Sequence, residues 1–457
     1  MKSISPKSTA LAAAIAVLLF AVVFGVLSLG MAVWIPLLLL LATAVLFAVP
    51  VHALPALALV LFALLPLGYI AGVPATMGRF LTPAALTIVV ALLRQRGRPA
   101  VNRIPRFWTV CAIALLLLSA ASFIWSLDAQ RSALWTATVA VVLFGFAHLS
   151  MRSTPQSVHA LQRTWLCVGL ILGVAAITEG LVQRSFLAAL YARGASSGIG
   201  FTQHWDSIRA TTTLGHPLMN GTFFATTAVY AIILTMRRRS KLALASGAVS
   251  AGGAIFSVSR SAAAAIAAGL IVGLLVCLAS RQLPFGRKAV GLLVGVGAAA
   301  AVLFSPIIQS RSDSAEGSGS ADARAVILDR ALEFAGESNY LGVGAGMAQE
   351  RAIMGGLNMP IENSYAGVLV SLGAAGTIIF VCLLATIALV AARRQAPEVV
   401  AAVCAFGTAI WAWPLVDNYP SALVMLGALA YIGFSGHRRS ELIPDDARTL
   451  SALTISR

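Results

Sequence analysis

Charge is what this chain has least of, and acidic charge least of all. Charged residues make up 11% of its 457, with 16 Asp and Glu against 32 Lys and Arg, where a soluble domain carries roughly a quarter. Hydrophobic residues make up 59%. That balance excludes a water-soluble fold and reads as an all-α polytopic membrane protein, because only helices satisfy their own backbone in lipid without closing a barrel. The cysteines are few. Cys111, Cys167, Cys277, Cys382 and Cys404 stand singly inside apolar blocks, without pairing or metal-ligand spacing, and read as small buried hydrophobes. No metal and no cofactor is expected. A basic face with interleaved aromatics is missing too, which removes nucleic acid as a partner despite a formal charge of +16. Neither an internal repeat nor an inverted pair of broken helices is evident, which counts against a transporter.

What is present is a series of fourteen apolar blocks, roughly 9–29, 31–50, 53–72, 77–93, 107–126, 132–149, 160–182, 216–236, 242–258, 261–280, 289–308, 363–392, 399–415 and 419–436. Each approaches the ~20 residues that a spanning helix needs. The expectation is about 14 transmembrane helices, with 12 as the lower bound if the first four blocks include a re-entrant pair. Lys2 and Lys7 precede the first block, which is too long for a signal-peptide core and reads as a span. With the N-terminus inside, the clusters at Arg94 to Arg98, Arg152, Arg237 to Lys241, Arg281 to Lys288, Arg393-Arg394 and Arg438-Arg439 all fall on the cytoplasmic side, as the positive-inside bias requires. Both termini are then cytoplasmic. The chain divides into N-terminal helices (1–182), a core (183–392), two C-terminal helices (393–436) and a cytoplasmic tail (437–457).

This topology puts two long segments on the outer face, 183–215 and 309–362. Both carry arginine where the bias does not put it, which suggests a site for an anionic ligand at the mouth of the bundle. Glu179 stands near the outer end of the seventh block, either as a functional intramembrane acid or as a carboxylate pairing with Arg184. Arg209 and His216-Pro217 precede the eighth block, with Pro217 suited to a first helical turn. The corner Ser259-Arg260 joins blocks nine and ten, and no carboxylate lies near it in sequence. A guanidinium fork there matches phosphate oxygens.

In the longer loop, Ser310 to Ala323 has the composition of a mobile linker. The stretch from Asp322 reads as an amphipathic helix with Val326, Ile327 and Leu332 on its apolar side, and Arg324 and Arg330 facing solvent or ligand. Gly342-Val-Gly344-Ala-Gly346 reads as a tight turn of close backbone approach. Glu362-Asn363-Ser364-Tyr365 opens the twelfth block. Glu362 is either a helix-start acid favoured by the helix dipole or a general base that takes a proton from a sugar hydroxyl. His216 is the other residue able to take that proton.

These pieces, in this order from about Glu179 to Gly376, resemble the O-antigen ligase and polysaccharide polymerase superfamily. The resemblance rests on Arg209 before His216-Pro217, the Ser259-Arg260 corner, the outer loop with its Arg-bearing helix and Gly-x-Gly turn, and Glu362-Asn363-Ser364-Tyr365 leading to Leu372-Gly373-Ala-Ala-Gly376. It implies a GT-C-like, metal-independent, inverting glycosyltransferase of the bacterial inner membrane. The donor would be an undecaprenyl-diphosphate-linked glycan and the acceptor a hydroxyl of a second glycan, on the outer (periplasmic) face. Ligases of this superfamily carry His before the Asn; Glu362 at that place looks more like the exopolysaccharide polymerase branch. The resemblance assigns Arg209 and Arg260 to the diphosphate and Glu362 or His216 to proton transfer. Arg324, Arg330, Asn363, Tyr365 and Glu179 would support them, with membrane lipids as surroundings. Two other readings stand beside it: a ligase that attaches finished glycan to lipid or protein, and a flippase or exporter of lipid-linked glycan.

Overall fold

The computed structural model describes residues 46–65, 80, 82–187, 209–279, scattered positions of 286–304, and 305–435 except 314 and 358. The first apolar block, most of the second, residues 188–208 of the shorter outer segment and the tail lie outside the described residues. What is described is helical, with no strand. In chain order the bundle helices are α1 (Val51–Leu64), α2 (Pro83–Gln95), α3 (Arg106–Ile124), α4 (Ala129–Arg152), α5 (Pro155–Val182), α6 (Pro217–Arg238), α7 (Lys241–Phe256) and α8 (Arg260–Ala279). The long loop carries α9 (Pro306–Asp313), α10 (Ala315–Glu337) and α11 (Ala348–Met354). Then follow α12 (Ser364–Arg393), α13 (Pro397–Ala412), the short α14 (Leu415–Asn418) and α15 (Pro420–Phe434).

Six of these, α3, α4, α5, α6, α8 and α12, are long and apolar enough to cross a membrane, and five shorter apolar helices accompany them. The expected all-helical, many-span architecture is what the described residues show; the count of about fourteen spans is not confirmed by them.

α6 is the axis of the bundle. Every residue from Leu218 to Leu234 is buried, because α5, α7, α8 and α13 surround it. Its sequence permits this. Thr222 and Thr226 return their hydroxyls to the carbonyls of Leu218 and Thr222 at 2.9 and 2.7 Å, so these two hydroxyls are satisfied within the helix. Small residues let neighbours approach, as is usual where lipid supplies no hydrophobic drive between helices: a Cβ on Gly221 would lie 3.1 Å from Ser259 and Ala262.

One end of the bundle is basic. There Arg237 pairs with the buried Glu398, Arg238 reaches Gln162, Arg152 donates to the Arg98 carbonyl and Arg394 to that of Gly433. The clusters around Arg98, Arg152, Arg237 and Arg394 thus meet at a common end, opposite the long loop, while Arg281, Arg287, Lys288 and Arg438-Arg439 lie outside the described residues.

The loop itself departs from one expectation. Residues 315–337 form a continuous helix, so the Ser- and Gly-rich stretch before Ala323 is not a linker. Its helical backbone is continuous with the segment that docks on the bundle. The docked face is also rotated from the expected one. Ile327, Ala331 and Phe334 are buried with Ala348, Ala352, Ile361, Ala366 and Val370, whereas Val326 and Leu332 are 59% and 46% exposed. The i, i+4, i+7 row wins because its small Ala331 fits flush, while the larger neighbours point away.

The glycine turn behaves as its sequence suggests. α12 is kinked at Gly373 (φ 71°, ψ −170°), and the carbonyls of Val370 and Ser371 accept from Val343 and Gly344 at 2.9 and 3.0 Å. A Cβ at Gly342 would stand 2.4 Å from the Ser371 carbonyl. From the other side Ser132 donates to the Ala345 carbonyl and Trp125 to that of Gly342. With its amides so engaged, the turn is a backbone clasp between α12 and the α3–α4 corner, and has no phosphate cradle to offer.

Candidate active site

The end of the bundle that carries the long loop brings together residues from four separate stretches of chain. Glu179, in the last turn of α5, is 1% exposed. Its Oε1 accepts from the Ser185 hydroxyl and the Phe186 amide, each at 3.1 Å. Its Oε2 accepts from the amides of Thr211 and Thr212 at 2.9 and 3.0 Å. The carboxylate is therefore the anchor of the segment that leads into α6. Asn220 completes the anchor: its side-chain oxygen accepts from the Thr212 hydroxyl at 2.6 Å, and its NH₂ reaches the carbonyls of Ala210 and His216, each at 3.3 Å. Thr212 is held at φ 41°, a backbone region that a β-branched residue rarely adopts without such ties.

Glu179→Ala is expected to leave the two threonine amides without acceptors in a buried place, at a cost of roughly 2–5 kcal/mol. A lowered thermal midpoint in detergent checks this. An unchanged midpoint would mean that the anchor is not what holds the segment.

Anchored in this way, Arg209 lies against the corner between α7 and α8. Its Nε donates to the Ser257 carbonyl at 3.1 Å, and the Ala210 amide donates to Phe256 at 2.9 Å. Arg260 is the first residue of α8, three positions beyond Ser257. Ser259 caps that helix, accepting from the Ala262 amide at 3.3 Å. Two arginines that are fifty-one positions apart in sequence are thus brought to one corner.

His216 caps α6: its Nδ1 accepts from the Leu218 amide at 3.1 Å. Its ring stacks on Trp413 (centroids 4.0 Å apart, 27° between planes), and Trp413 stacks in turn on Tyr419 at 5.7 Å. Burial and, secondarily, the nearby Arg209 push the imidazole pKa down to about 3. The residue as a whole is half-buried. His216 is neutral at pH 7, and with Nδ1 occupied as an acceptor its proton sits on Nε2.

Glu362 immediately precedes the Asn363 cap of α12. Its Oε2 is 2.7 Å from Nε of Arg324, reaching down from α10. The pair borders a cavity of about 160 Å³ walled by Ile327, Leu328, Ile361 and Trp411. Asn363 uses its side-chain oxygen to accept from the Tyr365 and Ala366 amides at 2.9 and 3.1 Å. The Tyr365 hydroxyl donates to the Gly407 carbonyl at 2.8 Å. Both residues thus hold the helix start in place. Arg330 pairs with Glu333 one turn along α10, both about half exposed, so of the two α10 arginines it is Arg324 that meets the Glu362 carboxylate.

Segment 411–417 ties these parts together and escaped the reading of the sequence. Trp411 and Ala412 line the Glu362 cavity, Trp413 stacks on His216, and the Trp413 carbonyl accepts from the Ser364 hydroxyl at 2.6 Å. Asp417, 2% exposed, accepts from Ser371 at 2.5 Å and from the Gln349 amide at 3.4 Å, which locks the loop onto the kink in α12. Burial pushes its carboxyl pKa up, and the Ser371 hydrogen bond opposes that. The signal was there to be read: an acid and two tryptophans in Trp411-Ala-Trp413-Pro-Leu-Val-Asp417, where two apolar blocks abut.

Residues 245–381 match the O-antigen ligase family. The match runs from α7 through most of α12, so it takes in Arg260, Arg324, the glycine turn and Glu362-Asn363. It bears out the resemblance to the ligase and polymerase superfamily over that core, and supports a membrane glycosyltransferase of ligase or polymerase type at the level of the family. No curated protein matches the chain. Among the described residues no cluster of His, Cys, Asp and Glu has the make-up of a metal site.

Proposed function

We propose that the protein transfers a glycan from a polyprenyl-diphosphate donor to a hydroxyl of a second glycan, as a polymerase of the O-antigen or exopolysaccharide type. The observation that carries this reading is the approach of Arg209 to the Ser257–Arg260 corner. Two arginines brought to one corner suit a diphosphate leaving group, whose charge grows as its bond to the sugar breaks. In the step itself the acceptor oxygen attacks the anomeric carbon from the face opposite the diphosphate. A new C–O bond forms as the C–O bond to diphosphate breaks, the configuration inverts, and the hydroxyl proton passes to Glu362. The departing polyprenyl diphosphate keeps the bonding electron pair, stabilised by Arg209 and Arg260. No metal is required where two arginines already supply the positive charge.

In this scheme His216 is a neutral donor. Its Nε2–H can hold an acceptor oxygen on the donor or the sugar, but its Nδ1 is occupied by the start of α6. His216→Asn, which can still cap the helix and still donate, is expected to keep a substantial share of the rate, whereas His216→Phe keeps the stack on Trp413 and loses the rate. The rate should show no limb between pH 5 and 8 that disappears in His216→Asn. Equal, complete loss in both variants, or such a limb, would return the base role to His216.

A ligase differs only in its acceptor, and the family description favours keeping it as the second reading. An exporter is disfavoured by where the charges lie. Among the described residues the buried acids and arginines stand at the two ends of the bundle (Glu179, Arg209 and Asp417 at one, Arg237 and Glu398 at the other), so they do not line a path.

The deciding experiment uses purified protein in nanodiscs with the host's lipid-diphosphate-linked repeat unit and excess chelator. Longer glycan chains, or glycan moved to a lipid acceptor, would support transfer and separate polymerase from ligase. Carrier movement across sealed vesicles without any transfer would overturn it.

A further inference from the structure

The cavity beside Glu362 has a composition unlike that of the arginine corner. Its only charges are the mated Arg324 and Glu362, so it is electrically balanced and has nothing to attract an anion. Three aliphatic side chains, Ile327, Leu328 and Ile361, form one wall. Trp411 forms another, and the ring is 61% exposed although it is supported from behind: the Tyr365 ring lies 5.8 Å away at 47°, and Tyr365 is fixed through its hydroxyl to Gly407. The result is an aromatic face held still on one side and open on the other, next to a row of charged hydrogen-bonding atoms.

That pairing of surfaces matches a neutral sugar ring. A pyranose has an apolar face of C–H groups that lies well on an aromatic ring, and a rim of hydroxyls that accept from a guanidinium and donate to a carboxylate. A cavity of about 160 Å³ has room for one such ring. A lipid tail has no use for the ion pair, and a phosphate would meet the Glu362 carboxylate. A tryptophan that only anchors the chain at a lipid headgroup layer has no reason to share a cavity with that pair.

We propose that this cavity is the acceptor-sugar subsite, with Trp411 as its stacking platform and Arg324 as the residue that orients both Glu362 and the sugar rim. The proposal rests on the glycosyl-transfer reading above and deepens it. The terminal sugar of the acceptor lies against Trp411, and its nucleophilic hydroxyl faces Glu362. The donor diphosphate is held separately at Arg209 and Arg260. Trp411 stands in the C-terminal helices, outside the segment 245–381 that matches the family.

The test uses the full chain in nanodiscs and, as acceptor probe, the single repeat-unit oligosaccharide released from the host's own surface polysaccharide. Oligosaccharide binding is measured directly and, separately, the KM values for oligosaccharide and for lipid-linked donor are determined. Trp411→Leu is expected to weaken oligosaccharide binding and raise its KM by roughly tenfold, the scale of a lost aromatic contact, with the donor KM and the thermal midpoint unchanged. Trp411→Phe should restore most of the loss. Normal oligosaccharide binding and KM in Trp411→Leu would overturn the subsite while leaving the transferase intact. So would a fall in both KM selectivity and midpoint that Phe does not rescue, which marks an anchor. If the wild type transfers nothing yet binds the oligosaccharide in a Trp411-dependent way, the subsite stands and the transferase reading falls.

Discussion

Arg260→Ala is expected to lower the rate of glycan transfer by roughly 10²–10³-fold, the usual cost of removing one group that stabilises charge developing in a transition state. The position explains the size. Arg260 opens α8 immediately after the tight corner 257–259, where Ser259 caps the helix and Val258 is held at φ 49°. The backbone there has little freedom, and the first turn of a helix adds its own positive field for a phosphate. Arg260→Lys keeps the charge but gives up the planar fork, so it should recover only part of the rate. Arg209→Ala is a less clean probe, because Arg209 is 9% exposed and holds the Ser257 carbonyl; its loss disturbs the same corner that presents Arg260. The measurement is the initial rate with lipid-linked repeat unit, together with a thermal midpoint for each variant. An Arg260→Ala protein that keeps its midpoint and more than about half its rate would remove the diphosphate assignment, given that such a contact is worth roughly 3 kcal/mol or more.

The parts of this site that were legible in the sequence are those in which the local rule and the tertiary outcome coincide. His216-Pro217 at a helix start and the Ser259-Arg260 corner follow from residue types whose hydrogen bonds are local. The glycine turn was legible for the same reason, since Gly342 and Gly344 must take φ values of 87° and 118°. What stayed hidden depends on partners far along the chain. Nothing near Glu179 announces that its four donors come from residues 185–212, and the local candidate, Arg184, is not among them. Arg324 and Arg330 look equivalent in sequence, yet only one faces Glu362, because Ile327, Ala331 and Phe334 fix the rotation of α10. Composition also misled at 310–323. Serine and glycine favour coil in isolation, but here the stretch is helical and runs into a segment fixed by buried side chains, and propagation of a helix is far easier than nucleation.

Glu362→Gln separates proton transfer from orientation. The amide keeps the shape and one acceptor oxygen, so a residue that only holds the sugar should tolerate it with a modest rise in acceptor KM. A general base should not: its loss costs roughly 10²–10⁴-fold in rate, at unchanged KM. The ion pair bears on how this is read. Arg324 holds Oε2 at 2.7 Å, which leaves Oε1 as the atom to meet the acceptor hydroxyl, and Glu362→Gln also strips Arg324 of its charge partner. Arg324→Gln is therefore the necessary companion. If Arg324 acts by aiming the carboxylate, its removal should lower kcat less than Glu362→Gln does, and Arg324→Lys should restore part of it. The expected order is wild type, Arg324→Lys, Arg324→Gln, then Glu362→Gln far below. If Glu362→Gln keeps near wild-type kcat, His216 does not inherit the role, since its Nδ1 is occupied by the Leu218 amide. The acceptor proton would then pass to water on the attacking face, and Glu362 would be left as a sugar-orienting group.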